Sequence, residues 1–382
     1  MKHGLWYFML LMLLGGCALR GKDTSEPPTP LTSIEQQVEM ETVWERRIGS
    51  GHDKQFVSLR PAFVGGQVYV ADRKGRVSAL DTEDGELLWE VNTRAPVSAG
   101  VDAGEGLVVM GTSDAEVLAL DMRDGAEVWR ARVASEVLAV PRIDRGVVVV
   151  QSADGTLTGL NAASGERRWA FDRTMPALTL RGSSTPALAG GAVLAGFANG
   201  RLALLGVEQG RTAWELAIAE PRGRSELERM VDLDADPVID GVTVYAVSYQ
   251  GQVAAVDMRA GQIDWRRDMS AYAGLGVDFS QLYVTDDQSQ VWGLNRRDGA
   301  ALWKQDALRL RDLTAPVPFG DLVAVGDYEG YVHLLSRIDG DLVGRLRTDG
   351  RGIARLQAVG ERLYVLGKGG LLTVLQVQSP DR

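Results

Sequence analysis

Tryptophan recurs along this chain at Trp44, Trp89, Trp129, Trp169, Trp214, Trp265 and Trp303, with spacings of 45, 40, 40, 45, 51 and 38 residues. A period of this size points to a repeat architecture in which each unit contacts only its neighbours and stacking closes the core. Upstream of every marker but the first lies an alternating apolar stretch: RVSALD, EVLALD, TLTGLN, RLALLG, QVAAVD and QVWGLN. An eighth copy, YVHLLS followed by RIDGDLVG, puts Gly344 where tryptophan is expected. A further stretch, LLTVLQ at 371–376, has no tryptophan segment after it.

One unit can be read in full at 60–91, where short strands fit 62–64, 68–71, 77–80 and 87–91, separated by GG, RKG and TEDG turns. Glycine supplies the positive φ of such turns, and aspartate side chains bond nearby amides. The apolar period is two, not the 3.6 of a helical solenoid. Four strands per repeat of about 40 residues predict an all-β fold, an eight-bladed β-propeller of four antiparallel strands per blade. The last unit offers three strands, near 354–359, 362–367 and 371–376, and the segment 41–47 is a fourth strand with nothing before it. Pairing them closes the ring, so the propeller is expected over 41–378, with its tryptophans packed between blades.

The chain before the propeller has a different character. Lys2 and His3 precede LWYFMLLMLL at 5–14, an apolar run half the length of a membrane span, followed by LGGC at 14–17. This looks like a bacterial lipobox: residues 1–16 form a signal peptide, and Cys17 is lipidated. Ala18 follows where aspartate would mark inner-membrane retention, so the expected location is the outer membrane, on its periplasmic face. Residues 17–40 then read as a flexible, proline-containing tether. Cys17 is the only cysteine, which rules out an intramolecular disulfide. A formal net charge of −10 disfavours nucleic acid as a partner.

The repeat resembles that of pyrroloquinoline-quinone dehydrogenases, but only in blade architecture. Neither their vicinal cysteine pair nor a convincing carboxylate set for quinone and calcium is found, so no cofactor is expected. His52, in a loop, and His333, in a strand, read as structural or exposed, and no His/Cys cluster suggests zinc. Asp232, Asp234 and Asp236 have the first half of a calcium-loop spacing. However, Pro237 replaces the turn glycine and Thr243 the closing glutamate.

Function should sit where the repeat is irregular. Two connections from an outermost strand to the next innermost strand are long, 173–186 and 219–237, and they emerge on one face of the disk. Arg181 is expected near Asp232 and Asp234 on that rim. Ser225 and Glu228 form a capping-box pattern, so SELERMVD at 225–232 is predicted as a short helix. Leu178, Leu180 and Arg181 can be read as an interface anchor, or as leucines packed on a blade with Arg181 paired to Asp232 or Asp234. A similar Leu-x-Leu-Arg shape recurs in ALRLRDLTAP at 307–316.

Together the lipobox, the tether, the eight quinoprotein-like blades, LTLRG and ERMVDLDADPVIDG resemble the BamB family, the propeller lipoproteins of the outer-membrane β-barrel assembly machinery. The resemblance covers essentially the whole chain. It implies a non-enzymatic scaffold that binds the POTRA domains of BamA within the BAM complex and assists insertion of outer-membrane proteins, whose unfolded chains are the expected clients. By the same resemblance Leu178, Leu180, Arg181, Asp232 and Asp234 would contact BamA. The competing functions are a quinone-dependent dehydrogenase and a periplasmic saccharide- or peptidoglycan-binding propeller.

Overall fold

The computed structural model describes residues 26–52, 55, 57–180 and 184–378. The signal segment 1–16, Cys17 and Arg181 lie outside the described residues. Eight four-stranded antiparallel sheets follow one another around a ring. Blade one runs through Ala62–Val64, Gln67–Ala71, Arg76–Asp81 and Leu87–Asn92, from the channel outwards. Blade eight is built from Ile353–Val359, Arg362–Gly367 and Leu371–Val377, and its outermost strand is Met40–Arg47 from the other end of the chain. The register pairs Met40 with Val377 and Arg47 with Leu371, so the two ends of the propeller are held by one ladder.

The tryptophans explain the repeat. Each of the seven donates its indole Nε1–H to a backbone carbonyl in the next blade's outer turn, at 2.7–3.1 Å: Thr82, Met122, Ala162, Val207, Met258, Arg296 and Arg337. The ring of each indole lies on the glycine of that same turn. At Gly165, whose φ is +73°, an added Cβ would stand 2.8 Å from the Trp129 ring. Glycine is therefore required twice over, for the left-handed turn and for the approach of the ring. One side chain thus supplies both buried apolar area and a satisfied polar tip to each seam.

Gly344 departs from this rule for a topological reason. Its indole would have to rest on the outer turn of blade eight, and that turn does not exist, because the third and fourth strands of blade eight come from opposite ends of the chain. The space holds another segment instead. A Cβ at Gly344 would meet the Val38 carbonyl oxygen at 2.7 Å, and the amides of Gln37 and Val38 both donate to Val343 O, at 2.9 and 3.0 Å. Residues 26–39, assigned from composition to a flexible tether, lie against blade seven (Val317–Phe319, Leu322–Gly326, Tyr331–Ser336 and Leu342–Arg347) and contribute Leu31 and Val38 to the packing there. Proline-rich composition gave no sign of this, because the hydrogen-bond partners Arg309, Arg311, Val343 and Arg345 lie far along the sequence.

Candidate functional site

Connections from outermost to innermost strands all emerge on one face, which carries the two long segments. Residues 172–186 join blade three to blade four, and 218–237 join blade four to blade five. Leu178 is 41% exposed at the outer part of its loop, and Leu180 is half-buried. The backbone N–H of Leu180 donates to Asp232 Oδ2, which ties the two connections together. The two loops meet through Leu180, while Arg181, expected beside Asp232 and Asp234, lies outside the described residues.

The segment 225–232 is not the helix that its capping box predicts. The reciprocal bonds do form: Ser225 N–H donates to Glu228 Oε2 and Glu228 N–H to Ser225 Oγ, both at 3.2 Å. A single turn follows, with Arg229 N–H donating to Ser225 O at 3.2 Å, and the chain then extends. Met230, Val231 and Leu233 are buried in the body of the propeller, and the Asp232 carbonyl accepts from Tyr249 N–H at 2.9 Å. Starting a helix is costly, and here burial of an extended strip competes with its propagation.

The three aspartates of this loop occupy three different environments. Asp232 is 1% exposed, and its Oδ1 has no hydrogen-bond partner among the described residues. Burial pushes its pKa up to about 6, against the lowering effect of the Leu180 amide. Its carboxylate is thus turned into the protein beneath Leu180. Asp234 is half-buried and lines the central cavity, and burial together with the neighbouring Asp232 charge pushes it to about 7. Asp236 accepts from Thr185 N–H at 2.7 Å and pairs with Arg60 at 3.2 Å and Arg355 at 3.1 Å. These guanidiniums hold its carboxyl below the usual range despite burial. Arg60 is itself lowered to about 10, first by burial and then by Arg355.

The three carboxylates do not converge as a calcium loop would require. Among the described residues no group of three or more His, Cys, Asp or Glu side chains could hold a metal ion. What Asp236 does instead was not legible in the sequence. It stands at the start of blade five, while Arg60 and Arg355 belong to blades one and eight, on the far side of the ring. Their ion pairs span the channel beneath a mouth of about 1860 Å³. No local motif signals a contact that only ring closure creates.

The histidines are accounted for structurally. His52 faces the same mouth, and burial followed by the nearby Lys368 lowers its pKa to about 4. His333 is fully buried in blade seven. Its Nε2 lies 3.1 Å from Asp327 Oδ2, and its Nδ1 accepts from Arg345 Nε at 3.0 Å. These partners assign the neutral tautomer with the proton on Nε2, in keeping with a pKa that burial lowers.

The family model described as outer membrane protein assembly factor BamB matches residues 39–121, 73–305 and 293–381. The chain is similar to the outer membrane protein assembly factor BamB of Pseudomonas aeruginosa, at 48% identity over 99% of each chain. It is similar to the crystal structure of BamB from Moraxella catarrhalis, with a TM-score of 0.82 and 30% identity, over 88% of this chain and all of that one. Likeness to quinohemoprotein alcohol dehydrogenase from Comamonas testosteroni, with a TM-score of 0.70 over 90% of this chain and 78% of that one, comes at 13% identity and shows the fold alone.

Proposed function

The chain belongs to the family of outer membrane protein assembly factor BamB, and from that premise we propose that it is a non-catalytic scaffold of the BAM complex, lipid-anchored at Cys17, that docks on the POTRA domains of BamA. The contact surface is the rim formed by the two long connections, with Leu178, Leu180, Arg181 and Asp234, and with Asp232 as its support. The observation that carries this reading is the Leu180–Asp232 hydrogen bond, which fuses the two irregular loops into one surface. Exposed Leu178 supplies the apolar anchor, and Asp234 adds charge at the edge of the channel mouth. Asp232 acts from beneath, as a positioning group that holds Leu180 by its backbone. The protein works on the periplasmic face of the outer membrane and assists insertion of outer-membrane proteins, with unfolded chains as its clients.

The test is co-purification of the lipidated chain with BamA. Wild-type protein is expected to retain BamA, and Leu178→Ala or Asp232→Ala with Asp234→Ala to lose most of it while still folding. Retention unchanged in these variants removes the site assignment. No retention by the intact chain removes the partner.

A further inference from the structure

Residues 26–39 are bound at every stage of their path along blade seven. Glu26 pairs with Arg309, with one contact at 2.8 Å. Thr29 N–H donates to Arg309 O at 3.0 Å, and Thr29 O accepts from Arg311 Nη1 at 3.0 Å. Thr32 O accepts from Arg345 Nη1, and Gln36 Oε1 accepts from Arg345 N–H, both at 2.9 Å. Gln37 and Val38 reach Val343 as described above. Arg311 is itself fixed: it is 2% exposed and bonds Asp327 Oδ2 through Nε and Nη2 at 2.9 and 2.8 Å. Its Nη1 is left to the Thr29 carbonyl, so a guanidinium locked in the blade is aimed at the segment's backbone.

We propose that residues 26–39 form a fixed strap that seals the seam between blades seven and eight in place of the missing tryptophan, and that the membrane leash therefore starts on the rim between blades six and seven. The direction of the strap supports the second clause. Arg309 lies in the connection from blade six to blade seven, on the same disk face as 173–186 and 219–237. From there the strap descends to Val343 at the opposite face, where the chain turns into Met40–Arg47. Only eight residues lie between Cys17 and Glu26, a reach of about 30 Å at full extension. A chain free up to Met40 would reach about 75 Å. The proposed partner face is thus the face tied closest to the lipid. This clause rests on the reading of Cys17 as the anchor; the strap itself does not.

Hydrogen exchange on the mature chain tests the strap. The amides of Thr29, Gln37 and Val38 should exchange at least roughly 100-fold more slowly than in an unstructured peptide. Rates within a few-fold of the free peptide overturn the proposal. Gly344→Trp puts an indole where the Val38 carbonyl lies, and should release these three amides while blades one to six keep their protection. Protection retained in that variant overturns the seam assignment. Should Gly344→Trp not fold, Arg345→Ala, which removes the clamp on Thr32, should raise exchange of Gln37 and Val38 instead. For the leash, lipidated protein on phosphatidylethanolamine–phosphatidylglycerol vesicles is labelled at Asp306→Cys or at Ala163→Cys, on the opposite face and opposite side of the ring. Stronger quenching by a headgroup acceptor from position 306 is expected. Equal quenching with the protein bound overturns the leash origin. Failure to bind the vesicles overturns the anchor and the leash together, while the exchange data still decide the strap.

Discussion

The pattern Leu-x-Leu-Arg occurs twice in connections between blades, at 178–181 and at 308–311, and the first leucines of the two copies have opposite fates. Leu308 is 0% exposed and Arg311 2%, whereas Leu178 is 41% exposed and Leu180 half-buried. The difference lies in what the following blade offers. In blade seven Asp327 opens the turn after the second strand, its N–H donating to Tyr331 O at 2.9 Å, and its carboxylate takes Arg311 and His333. The equivalent position in blade four is Phe197, whose N–H donates to Arg201 O at 2.9 Å and whose ring fills the core beside Trp169. With no carboxylate there, the 178–181 loop finds its acid in the next connection, at Asp232. The first leucine of the motif is thus buried in one copy and exposed in the other, according to what the neighbouring blade offers.

Substitutions in the inward copy should therefore unfold, and those in the outward copy should only unbind. Arg311→Ala leaves Asp327 buried without its guanidinium and should cost about 3–5 kcal/mol. The check is the midpoint of chemical denaturation, and an unchanged midpoint would remove the buried network as a structural element. Next in size is Leu308→Ala, expected to lower stability by about 2–5 kcal/mol as a core truncation. Its outward counterpart Leu178→Ala should stay within about 0.5 kcal/mol of wild type and yet lose BamA in the pull-down. If both leucine variants destabilise alike, the contrast between the two copies is wrong.

How much of this the sequence carried depended on whether the contact was periodic. The strands of blade one were legible at Val68–Ala71 and Leu87–Val91 because period-two alternation and glycine turns are local signals. The closing pairing of Met40–Arg47 with the last blade followed from counting strands. Gly344 was visible as an exception, but its cause was not, because it lies in the absence of a covalent turn in blade eight. The docking of residues 26–39 was illegible for a similar reason. Its partners Arg309, Arg311 and Arg345 become neighbours only when the ring has closed. In the candidate site the sequence singled out the two loops through their length. It did not show that Asp232 faces inward, since an aspartate flanked by Val231 and Leu233 alternates with them only if the backbone is extended evenly. All three are buried, so the carboxylate enters the interior with its neighbours.

The pH dependence of stability separates the two roles given to the acidic loop. Asp232 and Asp234 have folded pKa values raised to about 6 and about 7, above the unfolded carboxylate value of about 4. For acids raised in this way, the stability contribution is complete below the unfolded pKa and is lost as pH rises through the folded one. Between pH 7.5 and 5.5 the free chain should therefore gain slightly in melting temperature as these groups take up protons, provided other carboxylates titrate lower. Association with BamA should move in the opposite direction. A contact that uses the Asp234 charge weakens as that charge is neutralised, so retention should fall through pH 7 to 6. Asp232→Asn with Asp234→Asn should flatten both slopes. A double variant with an unaltered melting slope would mean that burial of these carboxyls does not strain the loop. An unaltered association slope would mean that binding at this rim rests on Leu178 and its surroundings alone.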